Sequence, residues 1–500
     1  MEEKASGAAS SSAAMPRAQG LGTPKPGNVE DPVVLEFADL RNMADLSHAI
    51  QQAYGPDGLG ILVIRHVPGF VEQRRRLLPL AARFAALPDG VKQRYEDPQS
   101  HYSVGWSHGR ESLASGSPDL HKGSFYANPL VEDQLRPAPG DQLQPWLHPV
   151  LLDPAQQQQQ QQQQPGSQLH TASGSQRRPA AGVVPPSWGA DEAEQARLRA
   201  RYPGYLRPNV WPQQELPEVE GAFKGLGRLV VAVGCLLAEH CDRYVAARLD
   251  IKQGALADVL RRSLNPKAVG ACSRHRTYPA ALRPVPQARL LHYFAPPASH
   301  EAPAAGAAGG PADDHQQAWC GWHLDNGSLT GLTSAMYLDA AGCEVGCPDP
   351  AAGLYARDRH GRVVRVAIPP DCLAFQVGEA LQVSSGGLLS ATPHYVRAAR
   401  GAAAVGVSRN TFACFMQPDV EEPMTCPAGA CTRAAGRTGA AGPRCGAGKV
   451  QQARCAGWYS RQGVPAEQVA GGDLATRWSD GITFGEFSEA TFGKYYQEGR

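Results

Sequence analysis

The sequence predicts a mainly β fold preceded by an α/β N-terminal region, and three features predict it. After residue 289 the chain breaks into short apolar runs separated by turn residues. Before it, long segments carry apolar residues at helical spacing. Between these lie stretches too polar, or too rich in Ala, Gly and Pro, to build a core. The strand-like runs are Arg289 to Phe294, Gly321 to Asp325, Gly331 to Leu338, Gly353 to Arg357, Val363 to Ile368, Cys372 to Val377, His394 to Val396 and Gly406 to Phe415. His360-Gly361 predicts a turn between two of them, and Pro369-Pro370 and Gly378 punctuate the next pair. Short strands at this spacing fit two packed sheets, a β-sandwich or jelly roll.

Upstream, Val33 to Phe37 is a short apolar run, Met43 to Tyr54 a helix, Gly58 to His66 a β-rich run opened by glycine, and Arg74 to Leu87 a second helix. A long helix is predicted over Val219 to Leu249. The chain thus divides into a disordered tail (1–30), an α/β region (31–134), a low-complexity insert (135–203) holding the run Gln156 to Gln164, and a helix-plus-β domain (204–423). Flexible inserts at 297–319 and 397–406 interrupt that domain; a second low-complexity insert (424–472) and a C-terminal segment (473–500) follow.

The 500 residues are 42% hydrophobic, with a formal charge of +1 and a pI near 7.6, which leaves no electrostatic footprint for nucleic acid or an anionic membrane. The most apolar stretch, Leu226 to Ala238, is broken by Gly227 and Arg228 and falls short of the roughly 20 residues of a membrane span. The first residues lack the apolar run of a secretory signal. A cytoplasmic monomer with a small-molecule substrate is expected. Of the 12 cysteines, Cys235, Cys241, Cys272, Cys320, Cys372 and Cys414 sit in or beside apolar segments and read as reduced thiols. Cys343 and Cys347, and Cys426, Cys431, Cys445 and Cys455, lack the C-x-x-C spacing of structural zinc sites.

His323 and Asp325 stand two apart in a strand-like run, so both point to one face and can grip one ion. His394, which opens a later strand after Thr392-Pro393, supplies a third ligand. Two histidines and one carboxylate on one face of an octahedral ion leave three positions open, as in non-haem Fe(II) oxygenases. A zinc hydrolase needs only one open position. Farther on, Arg409 and Thr411 share a face of the last strand, where a guanidinium beside a hydroxyl makes a carboxylate clamp. Trp106 and Tyr126 are pocket candidates, although aromatics in apolar segments are more often core.

The order of these motifs resembles the plant-type 2-oxoglutarate/Fe(II)-dependent dioxygenases, the group that includes isopenicillin N synthase. The resemblance rests on GWHLDNGSLTGLTSAMYLD (321–339), GLYARDRHGRVVRV (353–366), DCLAFQVGEALQVSSGGLLSATPHYV (371–396) and SRNTFACFMQP (408–418). DGLGILVIRHVPGF, FAALPDGVKQRY, Ser103-Val104-Gly105-Trp106 and PNVWP extend it upstream. It implies a double-stranded β-helix core, Fe(II) on His323, Asp325 and His394, and the far carboxylate of 2-oxoglutarate on Arg409 and Thr411. With O₂ as the second cosubstrate, a small organic molecule would be hydroxylated or desaturated as succinate and CO₂ are released. Thr411 stands where the family usually has serine. In the segment resembling the family's N-Y-Y-P, His292 is expected in place of the asparagine and Phe294 in place of the second tyrosine. Two alternatives stay open: an Fe(II) oxidase of the same fold that does not consume 2-oxoglutarate, and a non-catalytic jelly-roll binding protein.

Overall fold

The computed structural model describes residues 29–111, 118–136, 138, 141, 148–151, 192–249, 251–264, 286–296, 318–358, 360–427 and 474–496. The tail 1–28, the glutamine run, Cys272, Cys431, Cys445 and Cys455 lie outside the described residues.

The strands are β1 (Val29–Glu30), β2 (Val33–Glu36), β3 (Ile61–Arg65), β4 (Gly105–His108), β5 (Lys122–Ala127), β6 (Gln287–Tyr293), β7 (Ala318–His323), β8 (Leu329–Thr333), β9 (Met336–Leu338), β10 (Glu344–Val345), β11 (Gly353–Arg357), β12 (Val363–Val366), β13 (Leu373–Val377), β14 (His394–Arg397) and β15 (Ser408–Met416). They form two sheets. One is five-stranded, in the order β1-β12-β11-β14-β7; the other is ten-stranded along the path β2-β3-β13-β8-β15-β6-β5-β4, with β9 joined to β15 and β10 to β9. Most pairs are antiparallel, while β1 runs parallel to β12 and β2 to β3, so both sheets are mixed. From β6 onward the chain passes back and forth between the sheets, which is what the series of short runs required.

Strand β3 illustrates how composition sets the layers. Its ILVIR is apolar at nearly every position because both faces are covered. Ile61 and Val63 meet Ala356, Val364, Val366 and Ala374 between the sheets. Leu62 and Ile64 turn to the helical layer. That layer is built on the helix Glu218–Ala246, apolar almost all round and therefore buried, with Ser47–Tyr54 and Phe70–Ala85 beside it. Two helical glycines allow close approach: a Cβ at Gly227 would lie 2.4 Å from Pro129 and one at Gly234 2.2 Å from Met416 Sδ. This helix is also long and apolar enough to cross a membrane, which the reading of Gly227-Arg228 as an interruption did not anticipate; 72% of its most apolar window is buried inside the protein.

Two positions of the Ala-rich stretch 397–406, expected to be a flexible insert, are packed. Ala399 and Ala404 are buried beside Tyr293 and Trp319, because small side chains let the backbone lie against the aromatic layer. The insert expected at 135–203 likewise gives up its end to a helix, Glu192–Arg201, whose Leu198 is buried and whose Arg199 meets Asp133 at 2.7 Å. At the other end of the chain, Trp478, Phe484 and Phe487 are buried, and Trp478 Nε1 donates to the carbonyl of Met424 at 3.1 Å. Arg477 Nη2 donates to Glu379 Oε1 at 2.7 Å with neither side chain more than 2% exposed, and Nη1 donates to Thr491 at 2.7 Å.

A buried pair that loses one member leaves the other charge uncompensated, so Arg477→Met is expected to cost roughly 3–5 kcal/mol in denaturant unfolding. A loss below about 1 kcal/mol, as for an exposed pair, would contradict the burial. Glu489 tests the same region by pH. Burial lifts its carboxyl from 4.5 to about 7, and its Oε1 has no partner among the described residues. The fold disfavours the ionised form, so the destabilisation is absent below pH 4.5, grows as pH rises and is complete above about pH 7. Glu489→Gln is therefore expected to stabilise by about 1–3 kcal/mol at pH 8 and to change little at pH 4. Equal effects at both pH values would refute this.

Candidate metal centre

His323 is the last residue of β7 and His394 the first of β14, and the two strands pair antiparallel with these residues opposite each other. Their ring centroids are 4.1 Å apart. Asp325 lies beyond the end of β7, in a loop, so strand alternation does not place it as the sequence suggested. The loop is held instead by backbone bonds from the turn after β13. Glu379 N–H donates to Asp325 O at 2.8 Å, Ala380 N–H to Asn326 O and Gly327 O at 3.1 Å each, and Gly378 N–H to Ser328 O at 3.0 Å. Gly378 has no room for a side chain: a Cβ there would lie 2.1 Å from Gly327 O and 3.0 Å from Asp325 O.

Both histidines are oriented by main-chain carbonyls. Nδ1 of His323 faces Gly321 O at 2.8 Å and Nδ1 of His394 faces Thr392 O at 3.1 Å. A carbonyl only accepts, so each Nδ1 carries a proton and Nε2 is the atom left to offer a lone pair once the ring is neutral. The two Nε2 atoms are each 4.0 Å from Asp325 Oδ1, and one ligand-type atom from each residue lies within 4.8 Å of the others. Among the described residues no other group of His, Cys, Asp and Glu has this geometry. Burial and the neighbouring His323 push the His394 imidazole down to about 4. Burial acts the same way on His323, but Cys320, whose Sγ is 3.8 Å from Nδ1, and Asp325 outweigh it and raise that imidazole to about 9.

The triad lines a cavity of about 460 Å³ between the sheets, and Arg409 and Thr411 line it too. Register sets Arg409 opposite Tyr293 on β6 and Tyr337 on β9. Its guanidinium lies 4.7 Å from the Tyr293 ring centroid and 6.0 Å from that of Trp319. Arg409 is buried, yet its Nε and Nη1 have no hydrogen-bond partner among the described residues. A buried cation with unpaired N–H groups fits an anionic ligand.

Neither His292 nor Phe294, expected in place of the family's asparagine and second tyrosine, lines the cavity. Alternation turns Arg289, Leu291 and Tyr293 to the cavity. His292 faces away, where its Nδ1 is 2.8 Å from Asn410 Oδ1 and its ring centroid 4.7 Å from that of Phe294. The inward positions of β6 beside Arg289 are therefore Leu291 and Tyr293. Trp106 belongs to the core around Phe84 and Phe125. Tyr126 donates to Glu111 Oε1 at 3.0 Å, in a network that sequence reasoning missed. Arg289 Nη2 donates to Glu111 Oε1 at 2.7 Å and its Nε to Ser124 Oγ at 2.9 Å; Lys122 pairs with Glu111 at 3.0 Å and with Asp119. Burial alone would raise the Glu111 carboxyl, but Arg289 and Lys122 hold it well below the usual carboxylate range. Cys241, Cys372 and Cys414 are buried free thiols, Cys235 and Cys426 are buried as well, and Cys343 and Cys347 are exposed.

No protein-family profile matches the chain, and no curated protein sequence does. Solved structures with a similar chain path include a full-length Neurospora crassa protein in complex with alpha-KG and thymine, at 16% identity and a TM-score of 0.48, covering 81% of this chain and 90% of that one. A 2OG-Fe(II) oxygenase family protein from Caulobacter crescentus shares 17% identity at a TM-score of 0.44, covering 80% and 89%. A dioxygenase for auxin oxidation in rice shares 15% at 0.40, covering 80% and 87%.

Gly378 gives a direct check on the loop that carries Asp325. Gly378→Ala is expected to shift that loop and weaken divalent-metal binding at least about tenfold, since losing aim at one ligand typically costs that much. Metal affinity equal to the parent's, measured by titration with Co(II), would show that the contact does not position Asp325.

Proposed function

We propose that the protein is a 2-oxoglutarate- and Fe(II)-dependent dioxygenase with a double-stranded β-helix core, of the plant-type group that includes isopenicillin N synthase. The observation that carries this reading is the presence, in one cavity, of the His323-Asp325-His394 group and a buried Arg409 with unpaired nitrogens. The donor set suits Fe(II): two neutral imidazoles and one carboxylate neutralise the ion only in part and leave room for an anionic cosubstrate. His323 and His394 would bind through Nε2 and Asp325 through its carboxylate. Arg409 and Thr411 would hold the far carboxylate of 2-oxoglutarate, with Tyr293 and Trp319 shielding the guanidinium from water. When bound, iron couples the conversion of 2-oxoglutarate and O₂ to succinate and CO₂ with hydroxylation or desaturation of a small organic substrate.

The test is release of CO₂ from carboxyl-labelled 2-oxoglutarate by protein loaded with Fe(II), in the parent and in Arg409→Lys. Lysine keeps the charge but loses the fork, so an increase of about ten- to a hundredfold in KM for 2-oxoglutarate is expected. Oxidation of a substrate by O₂ with no 2-oxoglutarate present would replace this reading by the oxidase one.

A further inference from the structure

The cavity has a second polar wall that neither the metal centre nor Arg409 uses. Thr330 on β8 and Gln376 on β13 are cross-strand partners, and both line the cavity. They are 1% and 2% exposed, and neither Thr330 Oγ1 nor Gln376 Oε1 has a hydrogen-bond partner among the described residues. Their direction is fixed by alternation. Leu329, Phe375 and Val377 belong to the helix-side core, and a Cβ on Gly331 would strike Val230 of the long helix at 2.2 Å. Thr330 and Gln376 therefore face inward, at the end of the sheet where Ser328 and Gly378 tie down the Asp325 loop.

Distance separates this pair from the Arg409 clamp. Phe415, the cross-strand partner of Thr330 on β15, lies roughly 20 Å along the strand from Arg409 at about 3.3 Å per residue. One small dicarboxylate cannot place the same carboxylate at both. The next inward residues on the two strands are Leu332 and Ala374, so neither strand offers a charge beside the pair. An apolar ligand would leave both buried atoms unpaired, and a carboxylate would meet no cation on either strand. Arg289, elsewhere on the wall, is already engaged by Glu111 at 2.7 Å. What satisfies both atoms is a neutral donor beside an acceptor: an N–H given to Gln376 Oε1 and a carbonyl accepting from Thr330 Oγ1. Side chains opposite each other in an antiparallel pair start about 4.5–5.5 Å apart at Cβ, close enough for one such edge to reach both.

We propose that Thr330 and Gln376 are the substrate-reading pair of the cavity, and that the substrate presents a neutral amide edge, as in a lactam or secondary carboxamide. This rests on the reading of the cavity as an oxygenase active site. Ordered water would satisfy the two atoms equally well if they had no such task, and the experiment separates the two.

The full-length protein, loaded anaerobically with Fe(II) and 2-oxoglutarate, is titrated with three probes on one ring size: δ-valerolactam, cyclohexanone and cyclohexanecarboxylate. The lactam is expected to bind about tenfold or more tightly than either, the margin of one or two hydrogen bonds. Thr330→Val and Gln376→Met should each abolish that preference while leaving iron content, 2-oxoglutarate affinity and the Tm of the ligand-free protein at or above the parent's values. Unsatisfied groups support no fold, so removing them should not destabilise it. Equal binding of lactam and ketone, a preference for the carboxylate, or a preference that survives both substitutions would overturn the proposal. So would a fall in Tm or iron content in both variants, which would make the pair structural. Iron and 2-oxoglutarate binding without lactam preference sinks the pair alone. A lactam preference that depends on Gln376, in a protein that binds no iron, supports the pair and sinks the oxygenase reading.

Discussion

The pairing of β14 against β7 is the constraint on which the site depends. Opposing His394 to His323 brings together two residues 71 positions apart, and a slip by one residue would turn each imidazole to the far side of its sheet. Both neighbours guard against that slip. Trp322 and Tyr395, which flank the histidines, pack together on the opposite face with centroids 4.4 Å apart. The carbonyls of Gly321 and Thr392 then fix each ring within that register.

The third member is set differently, by a loop whose carbonyls accept N–H groups from Gly378, Glu379 and Ala380. Those donors are held in place by the rest of the chain. The Glu379 carboxylate is locked by Arg477, so the C-terminal segment reaches the back of the Asp325 loop through one buried ion pair. Such a pair contributes little net stability against an apolar replacement, but it specifies one arrangement of the chain, which a site built on distances of about 4 Å requires.

Much of this was legible in the sequence where a local pattern has only one physical solution. Alternation and turn residues gave β11 its bounds and β3, β6, β7, β12, β13, β14 and β15 theirs to within a few residues, while β8 and β9 read as one run and β4, β5 and β10 were not read as strands; His323, Asp325 and His394 stood out as candidates because few residue types ligate a metal. Four things were not legible. Asp325 shares a site with His323 through loop contacts, not through a strand face. The inward frame of β6 cannot be chosen from Arg289 to Phe294 alone, since both faces carry plausible residues; only the pairing of Arg409 with Tyr293 decides it. Alanines at 399 and 404 read as filler because small side chains have little to bury, yet both are buried in the cluster of Tyr293 and Trp319. The network of Glu111, Lys122 and Arg289 joins two neighbouring segments to a third far along the chain, and no local pattern announces it.

On the proposed reading, one cavity holds a metal on His323, Asp325 and His394 and an anion on Arg409. A crystal structure of the full chain grown without O₂ in Fe(II) and 2-oxoglutarate tests it most directly. Anomalous scattering from iron is expected between the two Nε2 atoms and the Asp325 carboxylate, with one carboxylate of 2-oxoglutarate on Arg409 Nε and Nη1. Iron bound elsewhere, or a 2-oxoglutarate that leaves Arg409 without a partner, would contradict the account.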